Sequence, residues 1–234
     1  NCMIQEIPAD SSNLLWMIQV ALGVRKQDYD YFLSFSRFSF ASIIPRTVQV
    51  IHDIFPLEFE DNWSWLTRAK FRFYFFLSRI YATYFFTNSE YTKKKVIERF
   101  PNIEHKVEQI GTGIPHWTKR SRSVDKELDA VKAKFGIKNK YFFSVSTLES
   151  RKNFERTIHA FNEFAQKNKD IDYVIAGKKG WYFDEIFKAA KEHRIEDRVK
   201  FLGYVEEEDI VKLIDGAEAL LYLSIDEGAG IPPL

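Results

Sequence analysis

The chain has 234 residues, 45% of them hydrophobic, which is enough for one large or two small domains with a real core and speaks against disorder. A formal net charge of +1 gives no reason to expect a nucleic-acid partner. The single cysteine, Cys2, excludes an intrachain disulfide and fits a reducing compartment, and no apolar run reaches the roughly 18 residues of a membrane-spanning helix.

In chain order, residues 13–22 form a short helix candidate and 31–35 a strand. Residues 47–51, β-branched and apolar, form a second strand that runs into the loop His52-Asp53-Ile54-Phe55-Pro56-Leu57. A long helix is expected at 63–81. Strand 84–87 follows, then Ser89 as N-cap of a helix at 91–99, ended by Pro101, and a short strand at 106–110. The composition then shifts. Residues 111–126 hold Gly111, Gly113, Pro115 and four basic side chains with little apolar content, which reads as a linker between domains, the alternative being a surface loop. The domains are expected at 1–112 and 127–234, with the linker at 113–126.

Beyond the linker, strands at 141–146, 173–176, 199–202 and 219–223 alternate with helices at 124–135, 153–167, 183–193 and 206–214. That alternation predicts an α/β fold with a parallel sheet and helices on both faces. Ligands of such sheets bind beyond the carboxyl ends of the strands, so the loops there are the candidate sites. Ser144 to Asn153 hands a strand over to a helix. Arg151 and Lys152 sit at that helix start, where unpaired N–H groups also favour an anion, and together they suit a diphosphate. A merely solvated basic helix start is the alternative, and Glu149 offsets part of the charge. Lys178 lies in the turn after the next strand. Gly203 and Tyr204 follow the third, where an aromatic ring can pack beside a nucleobase. The last turn carries Glu227, Gly228 and Gly230 ahead of Pro232-Pro233, which is read as a helix start.

His52 ends a strand of the first half, a position that raises it above an ordinary structural histidine. Asp28 and Asp30 have a spacing used for metal–diphosphate binding, but they precede a strand and are rejected for that role. No His/Cys cluster has metal-ligand spacing, so no metal is expected. Residues 62–86 carry Arg68, Lys70, Arg72 and Arg79 among many aromatics with no acid. Such a helix can lie on an anionic membrane or can be a core helix with a few exposed bases. Aromatics on all sides favour the core reading.

With these residues in view, the chain resembles the retaining glycosyltransferases of the GT-B fold, group 1 (family 4), and among them bacterial mannosyl- and rhamnosyltransferases of surface polysaccharide synthesis. The match is closest in "FFSVSTLESRKNFERTIHAF", "YVIAGKKGW" and "VKFLGYVEEEDIVKLIDGAEALLYLSIDEGAGIPPL", and looser in "VQVIHDIFPLEF", "FFTNSEYTKKKVIERF" and "KVEQIGTGI". It implies two Rossmann-like domains facing across a cleft, the first on the acceptor side and incomplete, the second binding a nucleotide-diphosphate sugar and lacking its closing helices. A piece of a longer protein is therefore expected. The resemblance assigns Glu227 to the donor sugar and His52 to the acceptor side of the reacting sugar. Its two-glutamate motif puts the second glutamate at position 235, one past Leu234.

Lys152 matches the family's diphosphate lysine. Thr147 stands where the family has an arginine, and Arg151 is the substitute. Ser146, Lys178, Gly203, Tyr204, Gly228 and Gly230 complete the expected donor site. The implied reaction is metal-independent transfer of a hexose, with GDP-mannose the favoured donor, to a glycan or lipid-linked acceptor, with the nucleotide sugar as co-substrate and no other cofactor. A non-catalytic nucleotide-sugar-binding partner is the alternative. The expected location is cytoplasmic, at the inner face of the membrane if helix 63–81 touches it.

Overall fold

The computed structural model describes residues 22–23, 30–35, 44, 46–58, 64–113, 124–180 and 183–233. All but the last residue of the helix expected at 13–22, most of the expected linker, and Asp28 lie outside them. The chain divides into two compact units, Asn1–Gly113 and Ile114–Leu234.

The first unit holds a parallel sheet in the order β1 (Phe32–Ser34), β2 (Thr47–Ile51), β3 (Ala82–Thr87), β4 (Val107–Gln109). Between β2 and β3 lie a short helix α1 (Phe55–Glu58) and the long α2 (Trp65–Tyr81). α3 (Glu90–Arg99) and a 3₁₀ helix (Pro101–Lys106) connect β3 to β4. Ser89 caps α3 as expected, accepting from the Thr92 N–H at 3.1 Å. The loop expected at 52–57 winds instead into α1. Asp53 accepts from the Phe55 N–H at 3.3 Å, and Phe55, Pro56 and Leu57 bury their side chains, so the turn is paid in apolar contact. α2 starts at Trp65 rather than 63, where Ser64 caps it. It is also not the core helix that was expected. Tyr74, Phe75 and Ser78 are buried, while Trp65, Leu66, Phe73, Phe76 and Ile80 stay exposed.

The second unit is doubly wound. Its strands are β5 (Lys140–Val145), β6 (Ile171–Ala176), β7 (Val199–Gly203) and β8 (Ala219–Leu220), all parallel, in the order β7-β6-β5-β8. Alternation along the strands sends Tyr173 and Ile175 to one face, against α5 (Phe154–Lys167) and α6 (Asp184–Glu192) through Ile158, Phe161, Ile186 and Ala189. Tyr141, Phe143 and Val174 point the other way, against Val131 of α4 (Asp125–Lys134) and Leu213 of α7 (Glu207–Asp215). The fully buried tyrosines keep hydrogen bonds: Tyr141 donates to the Leu213 carbonyl at 2.8 Å, and the Tyr173 hydroxyl lies 2.8 Å from Ser144 Oγ.

β8 is shorter than the strand expected at 219–223. The Leu221 N–H still reaches the Phe143 carbonyl at 2.7 Å, but the chain then leaves the sheet. Ser144 Oγ takes the Leu221 carbonyl (2.6 Å), Asn153 Nδ2 takes that of Leu223 (3.0 Å), and the Ile225 N–H donates to the Arg151 carbonyl (2.9 Å). The segment is thus zipped onto the loop after β5 rather than onto β5 itself. Pro232 and Pro233 lie in a turn. Among the described residues, no helix is long and apolar enough to cross a membrane.

Candidate functional site

The strand order places a topological switch between β5 and β8: from β5 the chain moves outward through β6 and β7, then returns to β5's other side. In open parallel sheets, this is where loops diverge and leave a crevice for a ligand. The two loops that part here are the one after β5, with Arg151 and Lys152, and the one after β8, with Glu227.

The neighbouring strand ends are stitched into a rim. Ser146 N–H donates to the Ala176 carbonyl (3.0 Å), Leu148 to Lys178 (2.9 Å), Gly180 to Leu148 (3.0 Å) and Gly177 to Gly203 (2.7 Å). The approach at Gly177 is so close that a Cβ there would lie 1.8 Å from the Ser146 carbonyl oxygen. Only glycine lets the two loops meet.

Arg151 and Lys152 form the short 3₁₀ turn Ser150–Lys152, followed by Asn153 in the left-handed region (φ 60°). Both cations turn to one carboxylate. Arg151 Nη1 lies 3.1 Å from Glu227 Oε2, and Lys152 Nζ forms an ion pair with Glu227 Oε1. Arg151 Nη1 also donates to the Asp226 carbonyl (3.1 Å), and its Nη2 lies 3.4 Å from Glu149 Oε2. Lys152 stands 5.4 Å from the centre of the Tyr222 ring. The lysine side chain is only 11% exposed, so these charges interact in a partly dry setting.

Burial raises the Glu227 carboxyl pKa, but hydrogen bonds from Lys152 and Ser224 and the charges of Lys152 and Arg151 outweigh it, and the group sits below its ordinary value. Burial, and next a hydrogen bond to Glu227, push the Tyr222 hydroxyl upward, keeping it a neutral donor to that carboxylate. Because Glu227's folded-state pKa is depressed, its contribution to stability is complete above about pH 4.5 and fades as the pH falls below that. The gap in urea midpoint between wild type and Glu227→Gln is therefore expected to be constant near neutral pH and to narrow in acid. A gap that stays constant or widens down to about pH 3 would refute the pairing.

The structure brings the other expected donor-site residues to the same edge. Lys178 Nζ lies 4.4 Å from the centre of the Tyr204 ring, which is 59% exposed, so these two turns form one shelf. Thr147 is exposed and Ser146 half-buried on the β5 loop. Gly203 (φ 71°) turns the chain out of β7. Gly228 and Gly230 follow Glu227, and a Cβ on Gly230 would sit 3.8 Å from the Tyr222 ring. His52 belongs to the first unit. It is exposed just beyond β2, with Nε2 3.2 Å from the Phe35 carbonyl oxygen.

Sequence reasoning missed Tyr222, Ser224 and Asn153, which hold Glu227 and its loop in place. Among the described residues, no group of three or more His, Cys, Asp or Glu side chains is placed to hold a metal ion. The arrangement can bind an anion that competes with Glu227 for two cations, beside a shelf with one open aromatic face.

Residues 125–234 match the family model described as glycosyl transferases group 1. The chain is 30% identical over 190 residues to the O-antigen chain mannosyltransferase RfbU of Salmonella typhimurium, covering 79% of this chain and 47% of that protein. It is 32% identical over 92 residues to the serotype-specific mannosyltransferase WbdA of Escherichia coli, covering 39% of this chain and 11% of that protein. It therefore spans less than half the length of these curated relatives.

Among solved structures, WaaG, a glycosyltransferase involved in lipopolysaccharide biosynthesis, superposes with a TM-score of 0.73 at 16% identity, over 98% of this chain and 64% of that one. Anabaena Alr3699/HepE in complex with UDP and glucose gives 0.72 at 19% identity, over 96% and 60%. Residues 125–234 are thus similar to the glycosyl transferases of group 1, and the chain has a fold of the GT-B class.

Proposed function

We propose that the protein transfers mannose from GDP-mannose to a glycan or lipid-linked acceptor, with retention of anomeric configuration and without a metal ion. The observation that carries this reading is the convergence of Arg151 and Lys152 on Glu227 at the switch between β5 and β8. The nucleotide-diphosphate donor is supported by two adjacent cations at a strand end and by the open face of Tyr204 beside Lys178. Mannose is supported by the relatives, which are named mannosyltransferases. A reducing, cytoplasmic setting is supported by the single cysteine.

In this mechanism the donor diphosphate takes the two cations from Glu227. The freed carboxylate accepts hydrogen bonds from sugar hydroxyls and orients the ring. The bond from the anomeric carbon to the phosphate oxygen breaks, and its electron pair leaves with the nucleoside diphosphate. The acceptor hydroxyl oxygen bonds to the anomeric carbon from the same face, and its proton passes to the departing phosphate oxygen. Charge that grows on the diphosphate is stabilised by Arg151 and Lys152, already fixed in place and needing little reorganisation. His52 is proposed for the acceptor side.

The test is a thermal-shift panel of GDP-, UDP-, dTDP- and ADP-sugars in EDTA. A ligand at about one hundred times its Kd adds about 2.7 kcal/mol of apparent stability. GDP-mannose is expected to give the largest rise in Tm. No shift from any nucleotide sugar would reject the donor site, and a shift that requires Mn²⁺ or Mg²⁺ would reject metal independence.

A further inference from the structure

α5 and α6 share one face of the second sheet, where Ile158 and Phe161 of the first helix and Ile186, Ala189 and Ala190 of the second belong to one buried cluster. At the outer edge of that cluster the helices bring together two histidines that the donor site does not use. His159 Nδ1 lies 2.5 Å from His193 Nε2, with the ring centres 4.7 Å apart and the ring planes at 90°. His159 follows the buried Ile158 in the second turn of α5, and His193 is the C-cap of α6. Both are half-buried, so the packing beneath them fixes their positions while water still reaches them. Glu155 stands one helical turn before His159, with Oε1 3.9 Å from His159 Nε2.

Two imidazole nitrogens aimed at one point are what a bidentate transition-metal site requires. Zinc–nitrogen bonds of about 2.0–2.1 Å at a tetrahedral angle put the nitrogens roughly 3.3 Å apart. A separation of less than about 1 Å, within reach of a small turn of two half-buried side chains, therefore admits an ion. Which nitrogen of a neutral imidazole is free to bind depends on the partner of the other one. Glu155 lies on the Nε2 side of His159, where a carboxylate holds the N–H and leaves Nδ1 with its lone pair turned to His193. The ion takes the place of the proton that joins the two rings. At His193 the C-terminus of α6 adds the negative end of the helix dipole. The cationic neighbours in sequence, Arg156, Lys191 and Arg194, are exposed, and water screens their charges. Among the described residues no group of three or more potential ligands is placed to hold a metal ion, so water fills the remaining positions. We propose that His159 and His193 form a two-imidazole site that bridges α5 and α6 and takes a divalent transition ion such as Zn²⁺, with Glu155 as a positioning carboxylate. Mg²⁺ and Ca²⁺ prefer oxygen donors and are not expected there. The site stands independently of the donor-site reading.

Calorimetric titration of Zn²⁺ into the full chain tests it, with Cys2→Ser in every arm to remove the single thiol. One ion is expected to bind per chain at this site and to raise Tm, and Mg²⁺ is expected to do neither. In a chelate the second ligand acts at a high effective concentration, so His159→Gln and His193→Gln are each expected to weaken Zn²⁺ binding about a hundredfold. The two substitutions lie at separate positions on the outer edge of the helix pair, and both are expected to keep the circular dichroism of the parent. His105→Gln, at an exposed histidine of the first unit, is the control and is expected to bind as the parent does. Three results would overturn the proposal: no Zn²⁺ binding, binding that survives both substitutions, or a loss in His105→Gln as large as in the other two.

Discussion

Replacing Lys152 with alanine is expected to remove about 2–4 kcal/mol of transition-state stabilisation, a loss in rate of roughly thirtyfold to a thousandfold. The size follows from where Lys152 sits. Its ammonium is nearly enclosed and shares the Glu227 carboxylate with Arg151. Without it, a leaving diphosphate would face one cation instead of two, in a setting where water screens poorly. Steady-state transfer from GDP-mannose checks this, with circular dichroism to confirm the fold. A variant within twofold of wild type would remove Lys152 from the site.

A second large effect is expected in stability. Gly177→Ala would place a methyl group 1.8 Å from the Ser146 carbonyl oxygen, a backbone atom held between β5 and β6. The two strand ends must separate, with a cost of about 3 kcal/mol, the upper part of the usual overpacking range. Gly203→Ala is the matched control. Its φ of +71° is unfavourable for alanine, but nothing lies within 4 Å of the added carbon, so about 1 kcal/mol is expected. Urea midpoints at equal m-values measure both. Equal losses at the two positions would show that the close approach at Gly177 is not what matters.

Much of the fold was legible because its signals are local. The apolar runs of β5 and β6 and the amphipathic helices between strands announce a parallel sheet covered on both faces. The candidate loops follow from that pattern, since parallel strands deliver all their carboxyl ends to one edge. What was not legible depends on distant partners. Residues 221–223 read as the end of a strand, continued by a turn. They leave β5 because Ser144 and Asn153 side chains and the Arg151 carbonyl, each about seventy or more positions away in sequence, take their hydrogen bonds. That diversion carries Glu227 to Arg151 and Lys152.

Tyr222 escaped notice for the same reason: as a strand residue it would be one more aromatic, and only the diversion sets it against Glu227 and Lys152. α2 shows the limit from the other side. Its aromatics lie all around the helix, and composition alone does not say which of two apolar faces the sheet covers. α1 is only four residues long, too short for any periodic pattern.

We propose that the edge between β5 and β8 binds the diphosphate of a sugar nucleotide through Arg151 and Lys152 in competition with Glu227. Calorimetric titration of GDP in EDTA, into wild type, Lys152→Ala and Glu227→Gln, tests it most directly. Lys152→Ala is expected to bind at least about tenfold more weakly, the worth of one lost charge-assisted hydrogen bond. Glu227→Gln, with its competing carboxylate neutralised, is expected to bind more tightly than wild type. Equal affinity in all three proteins, or weaker binding by Glu227→Gln, would contradict the account.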